Sequence, residues 1–233
     1  MGGKSTGTYK NSNCDPKSFS KKKDIFKNLK IIKKKIKSNP RKIFLLNQIH
    51  SNKFYYIDKK SKPNNNELVG DALITNKSNT PIGVLTADCA PVLIFDSENK
   101  VIAVIHAGWK GTFKEIIRKV VKFMIKKGSS VDNITAIVGP SISLKSYEVK
   151  QDFIKKFIKK DVKNKIFFKN TRDKIYFNLN KYIVHQLKSL NIKKIEVINK
   201  DTFNIKNNFF SARRSKSRNE NDYGRNISII MIN

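Results

Sequence analysis

Apolar positions along this chain follow two periods, one near 3.5 and one near 2, and the switch between them marks the elements. Ile25, Leu29, Ile32 and Ile36 recur at helical spacing inside the Lys-rich stretch Lys21–Ser38, which predicts an amphipathic helix ended by Pro40. Residues 1–20 are rich in Gly, Ser and Asn and read as loop. Lys42–Ile49 (KIFLLNQI) is a short apolar run that reads as a buried strand, delivering Gln48 and His50 at its end. Lys53–Asp58 continues in extended form, and the polar stretch Lys59–Asn66, with Pro63, reads as an exposed loop.

Strand signals dominate the middle. Asp71–Thr75, Ile82–Thr86, Pro91–Phe95 and Val101–Ala107 are short apolar runs, and the last is continuous enough to be covered on both faces. Thr112–Lys127 puts Phe113, Ile116, Ile117, Val120 and Met124 on one helical face, with Gly128 as the stop. Ile134–Val138 is a further strand, closed by Gly139-Pro140. Asp152–Lys160 and Leu179–Leu190 read as helices, and Ile175–Phe177, Ile195–Asn199, Phe209–Ala212 and Ile227–Ile232 as strands. With no repeat and no long linker, the expectation is α/β: a single-domain sandwich of mixed β-sheet covered by helices, over residues 1–233.

Charge adds one question. Lys and Arg number 49 against 18 Asp and Glu, a formal net charge of +31. Counterion release makes such a chain a candidate for nucleic acid. The basic residues are 42 Lys and only 7 Arg, however, and they are spread along nearly the whole length. Base readers and bidentate phosphate clamps lean on Arg. The excess reads as compositional bias, and no specific nucleic-acid partner is expected. No apolar run reaches the roughly 18 residues a membrane span needs, and the N-terminus has no secretory h-region. Two cysteines, Cys14 and Cys89, are too few for a disulfide scaffold. A cytoplasmic protein, a monomer or small homo-oligomer without membrane contact, is expected.

Candidate chemistry begins with the histidines, of which there are three. His185 lies off the apolar stripe of its helix and reads as solvated. His50 and His106 each sit where an apolar strand ends, and Cys89 follows a strand in the polar turn Thr86-Ala87-Asp88-Cys89. Functional side chains of α/β proteins collect at such ends. The His50…Cys89…His106 gaps match no local zinc-finger or CxxC pattern, so residue spacing alone leaves a joint site open beside separate structural roles.

Motifs in order along the chain go further. Asn47-Gln48-Ile49-His50-Ser51, Gly70-Asp71-Ala72-Leu73-Ile74-Thr75, Thr86-Ala87-Asp88-Cys89-Ala90-Pro91 and His106-Ala107-Gly108-Trp109-Lys110-Gly111 resemble the laccase-domain (polyphenol oxidoreductase) family, reassigned as zinc-containing purine nucleoside phosphorylases. The likeness continues through Gly139-Pro140-Ser141-Ile142, Tyr147-Glu148-Val149, Phe210-Ser211-Ala212-Arg213-Arg214 and Gly224-Arg225. It also reaches Gly2–Gly7 and Asn13 at the start. Lys110 stands for the commoner Arg of its motif, Asp201-Thr202 for a Cys-Thr, and Ser141 for a Cys.

The resemblance implies a fold like that of cysteine-dependent deamidase toxins and a Zn2+ ion held by His50, Cys89 and His106. Two imidazoles and a thiolate suit zinc and leave a fourth position open. It implies phosphorolysis of adenosine, inosine, guanosine or 5′-methylthioadenosine to base and ribose 1-phosphate, with adenosine deamination as a side activity. Asp71 and Asp88 are the acid/base candidates, with turn formation or support of a histidine as the equal alternative. Gln48, Trp109, Lys110 and Arg213, with Arg214, are candidates for nucleoside or phosphate, as is the glycine-flanked entry Gly108–Gly111.

Three rivals are weighed against this reading. A multicopper oxidase needs on the order of ten imidazoles, far beyond this chain's three. A hydrolase with Cys89 as nucleophile and His106 or His50 as base is the enzymatic alternative, and a basic nucleic-acid-binding module the non-enzymatic one.

Overall fold

A computed structural model describes residues 22–36, 43–58, 68–220 and 223–233. The loops expected at 1–20 and 59–66, the opening motif with Asn13, Cys14 and Pro40 lie outside them. Along the chain run α1 (Lys22–Lys35), β1 (Phe54–Ile57), β2 (Ala72–Thr75), β3 (Ile82–Thr86), β4 (Ala90–Asp96) and β5 (Val101–Ala107). The helices α2 (Trp109–Phe113) and α3 (Ile116–Lys126) follow, then β6 (Ile134–Val138), β7 (Glu148–Val149) and α4 (Gln151–Lys160). The last third holds β8 (Phe168–Asn170), β9 (Ile175–Phe177), α5 (Leu179–Lys188), β10 (Lys194–Val197), α6 (Ala212–Ser217) and β11 (Asn226–Ile230).

A six-stranded mixed sheet in the order β1-β2-β5-β4-β6-β10 forms the middle layer. Its strands alternate between two buried faces, because side chains in a strand have period 2. Ala72, Ile74, Val92, Ile94, Ala103 and Ile105 face the helices, where Ile116, Ile117, Val120, Val121 and Met124 of α3 and Ile183 and Leu187 of α5 cover them. Leu73, Ile102 and Val104 point the other way, onto Ile82 and Val84 of the β3–β11 ribbon and onto Leu46 and Ile57. Both faces being covered, β5 is buried at every position, as its unbroken apolar run predicts.

An aromatic cluster holds the third layer together. Phe157 of α4 lies within 5.3 Å, centroid to centroid, of Phe113, Phe153, Phe177 and Tyr182. Phe168 stands at 5.6 Å. This packing ties α4 and the small β7-β9-β8 sheet to α2 and α5.

Direction places the site. Both β2 and β4 run antiparallel to β5, and β6 runs antiparallel to β4. The starts of β2 and β4 and the ends of β5 and β6 therefore meet at one end of the sheet. The sequence motifs at 70–75, 86–91, 106–111 and 139–142 all fall there.

Three sequence-based expectations need correction. Residues 43–49 are buried in part, but they form no strand: Phe44 bridges Ile82 and Asn47 bridges Val69, one rung each. The Gln48 side chain replaces further backbone pairing by bonding both Leu85 O (2.7 Å) and Leu85 N (2.8 Å). The helix expected at 112–127 begins at Trp109 and breaks at Glu115, which sits in the left-handed region with φ 63°. Phe209–Ala212 is not a strand. Ser211 caps α6 by accepting from Arg214 N, and Asn226 pairs with Phe210 through its side chain instead.

Truncating Phe157, which has no exposed surface, to Ala is expected to cost about 3–5 kcal/mol. Urea denaturation checks this as a lower midpoint at unchanged slope.

Candidate metal centre

Alternation selects which side chains meet at the sheet end. His106 shares the ribbon-facing parity of Ile102 and Val104 on β5, and Asp71, just ahead of β2, shares that of Leu73. Cys89 stands immediately before β4, whose Pro91 is registered against His106. His50 arrives from the segment bridged to Val69 and occupies a left-handed conformation, φ 57°.

The donor atoms of His50, Cys89 and His106 lie within 4.8 Å of one another. His50 Nε2 is 3.7 Å from Cys89 Sγ, and the two imidazole centroids are 4.7 Å apart, nearly perpendicular. Among the described residues this is the one such cluster. His106 is buried, Cys89 half-buried and His50 exposed.

Asp71 organises two of the three. It is wholly buried. Its Oδ1 accepts from His106 Nδ1 at 2.8 Å and from the His50 backbone N–H at 2.9 Å. Its Oδ2 accepts from Ser51 N and Ser51 Oγ, both at 2.6 Å. A carboxylate only accepts, so the His106 Nδ1 facing it carries a proton, and Nε2 is the nitrogen left for Cys89. Burial pushes the Asp71 carboxyl up, but the bonds from His106 and Ser51 outweigh it and hold the pKa at about 2. Such a group stays ionised at neutral pH and holds the His106 ring through Nδ1.

The protein alone favours a thiolate–imidazolium pair. Burial raises the Cys89 thiol, yet the charge and hydrogen bond of His106, with a bond to His50, bring it to about 6. Burial lowers His106, while the Cys89 thiolate and Asp71 raise it to about 9. A thiolate beside two imidazoles is a ready soft-and-borderline donor set. The backbone leaves room for it only at glycine: a Cβ on Gly108 would stand 2.7 Å from Cys89 Sγ and 3.1 Å from His50 Cδ2.

The other candidates divide. Asp88, in a left-handed turn at φ 86°, accepts from Thr202 Oγ1 and from Arg213 N, both at 2.7 Å, so its carboxylate fastens the start of α6 to the Cys89 turn. Gln48 spends its amide on Leu85. Trp109 is half-buried against Phe153, with Lys110 and Lys156 over its ring at 5.8 and 5.5 Å. Arg214 bonds the carbonyls of Thr202, Phe203 and Phe209, a loop-organising role. Arg213 lies 5.5 Å over the Tyr147 ring and gives Nη1 to Glu148 O, so other guanidinium donors remain. His185 is exposed on α5, as its place off the apolar stripe predicts.

Tyr147 is a site neighbour that residue spacing gave no reason to single out. Burial and the Cys89 thiolate push its phenol well above the ordinary range. Its signal was the Tyr147-Glu148-Val149 motif. Asp201 is another: it accepts from Ser143 Oγ and Ser146 Oγ at 2.7 and 2.6 Å, binding the loop after β6 to the loop after β10.

This whole-chain pattern belongs to a known family. The family described as multi-copper polyphenol oxidoreductase laccase matches residues 1–233, and the chain belongs to it. A purine nucleoside phosphorylase of Rickettsia prowazekii, RP494, is 37% identical over 177 residues, 74% of this chain and 71% of that protein. Adenosine deaminase RL5, from an unknown prokaryotic organism, is 39% identical over 114 residues, 49% of this chain and 38% of its own. The fold matches the crystal structure of Bacillus licheniformis hypothetical protein YfiH with TM-score 0.86 at 23% identity, over 95% of this chain and 86% of that one.

Asp71→Asn would set an amide N–H against the Ser51 donors or forfeit the His106 bond. It is expected to weaken the binding of a divalent metal ion at this cluster roughly 10–100-fold and to lower the melting temperature. Chelator competition and thermal scans check both.

Proposed function

We propose that this chain is a zinc-dependent purine nucleoside phosphorylase that cleaves adenosine, inosine, guanosine or 5′-methylthioadenosine with phosphate, and that deaminates adenosine as a side activity. The observation that carries the reading is the convergence of His50, Cys89 and His106 on one point, in a chain similar to a phosphorylase over most of its length. The likeness to a named adenosine deaminase supports the side activity.

His50 Nε2, Cys89 Sγ and His106 Nε2 would hold the zinc. When bound, it would supply Lewis-acid chemistry. The remaining work falls to the protein. Asp71 keeps the His106 tautomer and the His50 loop in place. In phosphorolysis the bond between ribose C1′ and the purine nitrogen breaks, a phosphate oxygen bonds to C1′, and the base departs with its electron pair. On this reading phosphate falls to Arg213, which gives Nη1 to Glu148 O and keeps further guanidinium donors. Asp88 holds its backbone beside Cys89, and Tyr147 supports its guanidinium from below. Tyr147 stays protonated and adds no charge beside Cys89.

One observation favours a second reading. The metal-free Cys89 and His106 resemble the activated pair of a cysteine hydrolase. Phosphate separates the two. Incubation with a nucleoside panel is expected to release free base and ribose 1-phosphate only when phosphate is present. Cys89→Ala and His106→Ala are expected to lower the rate more than about a hundredfold while remaining folded by circular dichroism. Base release at equal rate without phosphate would support hydrolysis, and no release from any nucleoside would refute the phosphorylase reading.

A further inference from the structure

The loop that carries His50 is held from two sides. On its inner side, Asp71 takes the backbone N–H groups of His50 and Ser51. On its outer side it lies along α2, against positions three residues apart. A Cβ on Gly108 would meet His50 Cδ2 at 3.1 Å, and one on Gly111 would meet Ser51 O at 2.9 Å. Three residues further, Asn52 Nδ2 donates to Lys114 O at 2.8 Å. The two glycines thus form a low stripe along which the loop lies, with the His50 ring against Gly108 at the helix entry and the Ser51 carbonyl against Gly111.

The far anchor depends on the helix break. Around the left-handed Glu115, the carbonyls of Thr112, Phe113 and Lys114 each accept a side chain from elsewhere: Gln186 at 2.8 Å, Lys160 at 2.6 Å and Asn52 at 2.8 Å. Of these three donors, only Asn52 belongs to the metal-site loop. His50 itself sits in a conformation that β-carbon sterics disfavour. Such a conformation persists only while its surroundings impose it, and Asn52 is the contact that imposes it from the α2 side.

We propose that Asn52 is a positioning residue for the metal centre: its hydrogen bond to the Lys114 carbonyl at the α2–α3 break clamps the His50 loop onto the Gly108/Gly111 stripe. This proposal rests on the His50–Cys89–His106 metal reading, and the test separates the two. The full chain is stripped of metal. Zn2+ affinity is then read by chelator competition, and the coordination of Co2+ by its thiolate charge-transfer and d–d absorption. Asn52→Ala and the near-isosteric Asn52→Asp, which cannot donate to a carbonyl, are expected to weaken Zn2+ about tenfold or more and to alter the Co2+ bands. Lys160→Ala, which removes a different bond at the same break, is expected to leave both unchanged while lowering the melting temperature. Unaltered affinity and spectra in both Asn52 variants would overturn the clamp, as would an equal loss in Lys160→Ala. If the unsubstituted chain takes up neither ion, the metal reading falls and the clamp with it.

Discussion

One buried carboxylate joins the fold to the site. Asp71 is withdrawn from water, which costs an ionised group several kcal/mol unless hydrogen bonds offset it. Here they come from the His50 and Ser51 backbone, the Ser51 hydroxyl and the His106 ring. These bonds do two things at once. They close the turn that carries one imidazole, and they set the tautomer of the other. The backbone of Asp71 completes the join, because its carbonyl accepts from His106 N at 2.7 Å and its N–H donates to Lys53 O at 2.9 Å.

The chemistry follows from that constraint. With Asp71 fixed as a negative acceptor on Nδ1, His106 has only Nε2 left for Cys89, whose thiol its charge and hydrogen bond bring down to about 6. Such a pair serves either a nucleophile or a metal. The second imidazole tips the balance, since a hydrolase needs one base, whereas His50 is held in a disfavoured conformation with its Nε2 against the same sulfur. Glycine at 108 keeps that space open. Asp88 makes a different join, tying the Cys89 turn to α6 through Arg213 N and to Thr202 Oγ1.

Much of this was legible in the residues. The unbroken apolar run of β5 announced a central strand covered on both faces, and the place of His106 at the end of that strand announced where chemistry collects. What spacing did not reveal was convergence, because 39 and 17 residues separate the three donors. Only the motif resemblance joined them. Asp71 was visible as a motif residue, but its work depends on pairing between β2 and β5, which no local pattern encodes. The helix break at Glu115 was hidden because Phe113, Ile116 and Ile117 keep a helical stripe across it. The segment 43–49 misled for a related reason: its apolar residues are buried, yet its backbone pairs with two different neighbours one rung at a time.

The central claim is that two imidazoles and one sulfur share a single ion, and X-ray absorption at the zinc edge tests it most directly. For the zinc-loaded chain the account predicts one sulfur at about 2.3 Å and two imidazole nitrogens at about 2.0–2.1 Å, with the sulfur scattering lost in Cys89→Ser. A first shell of nitrogen and oxygen alone in the unsubstituted protein would contradict it.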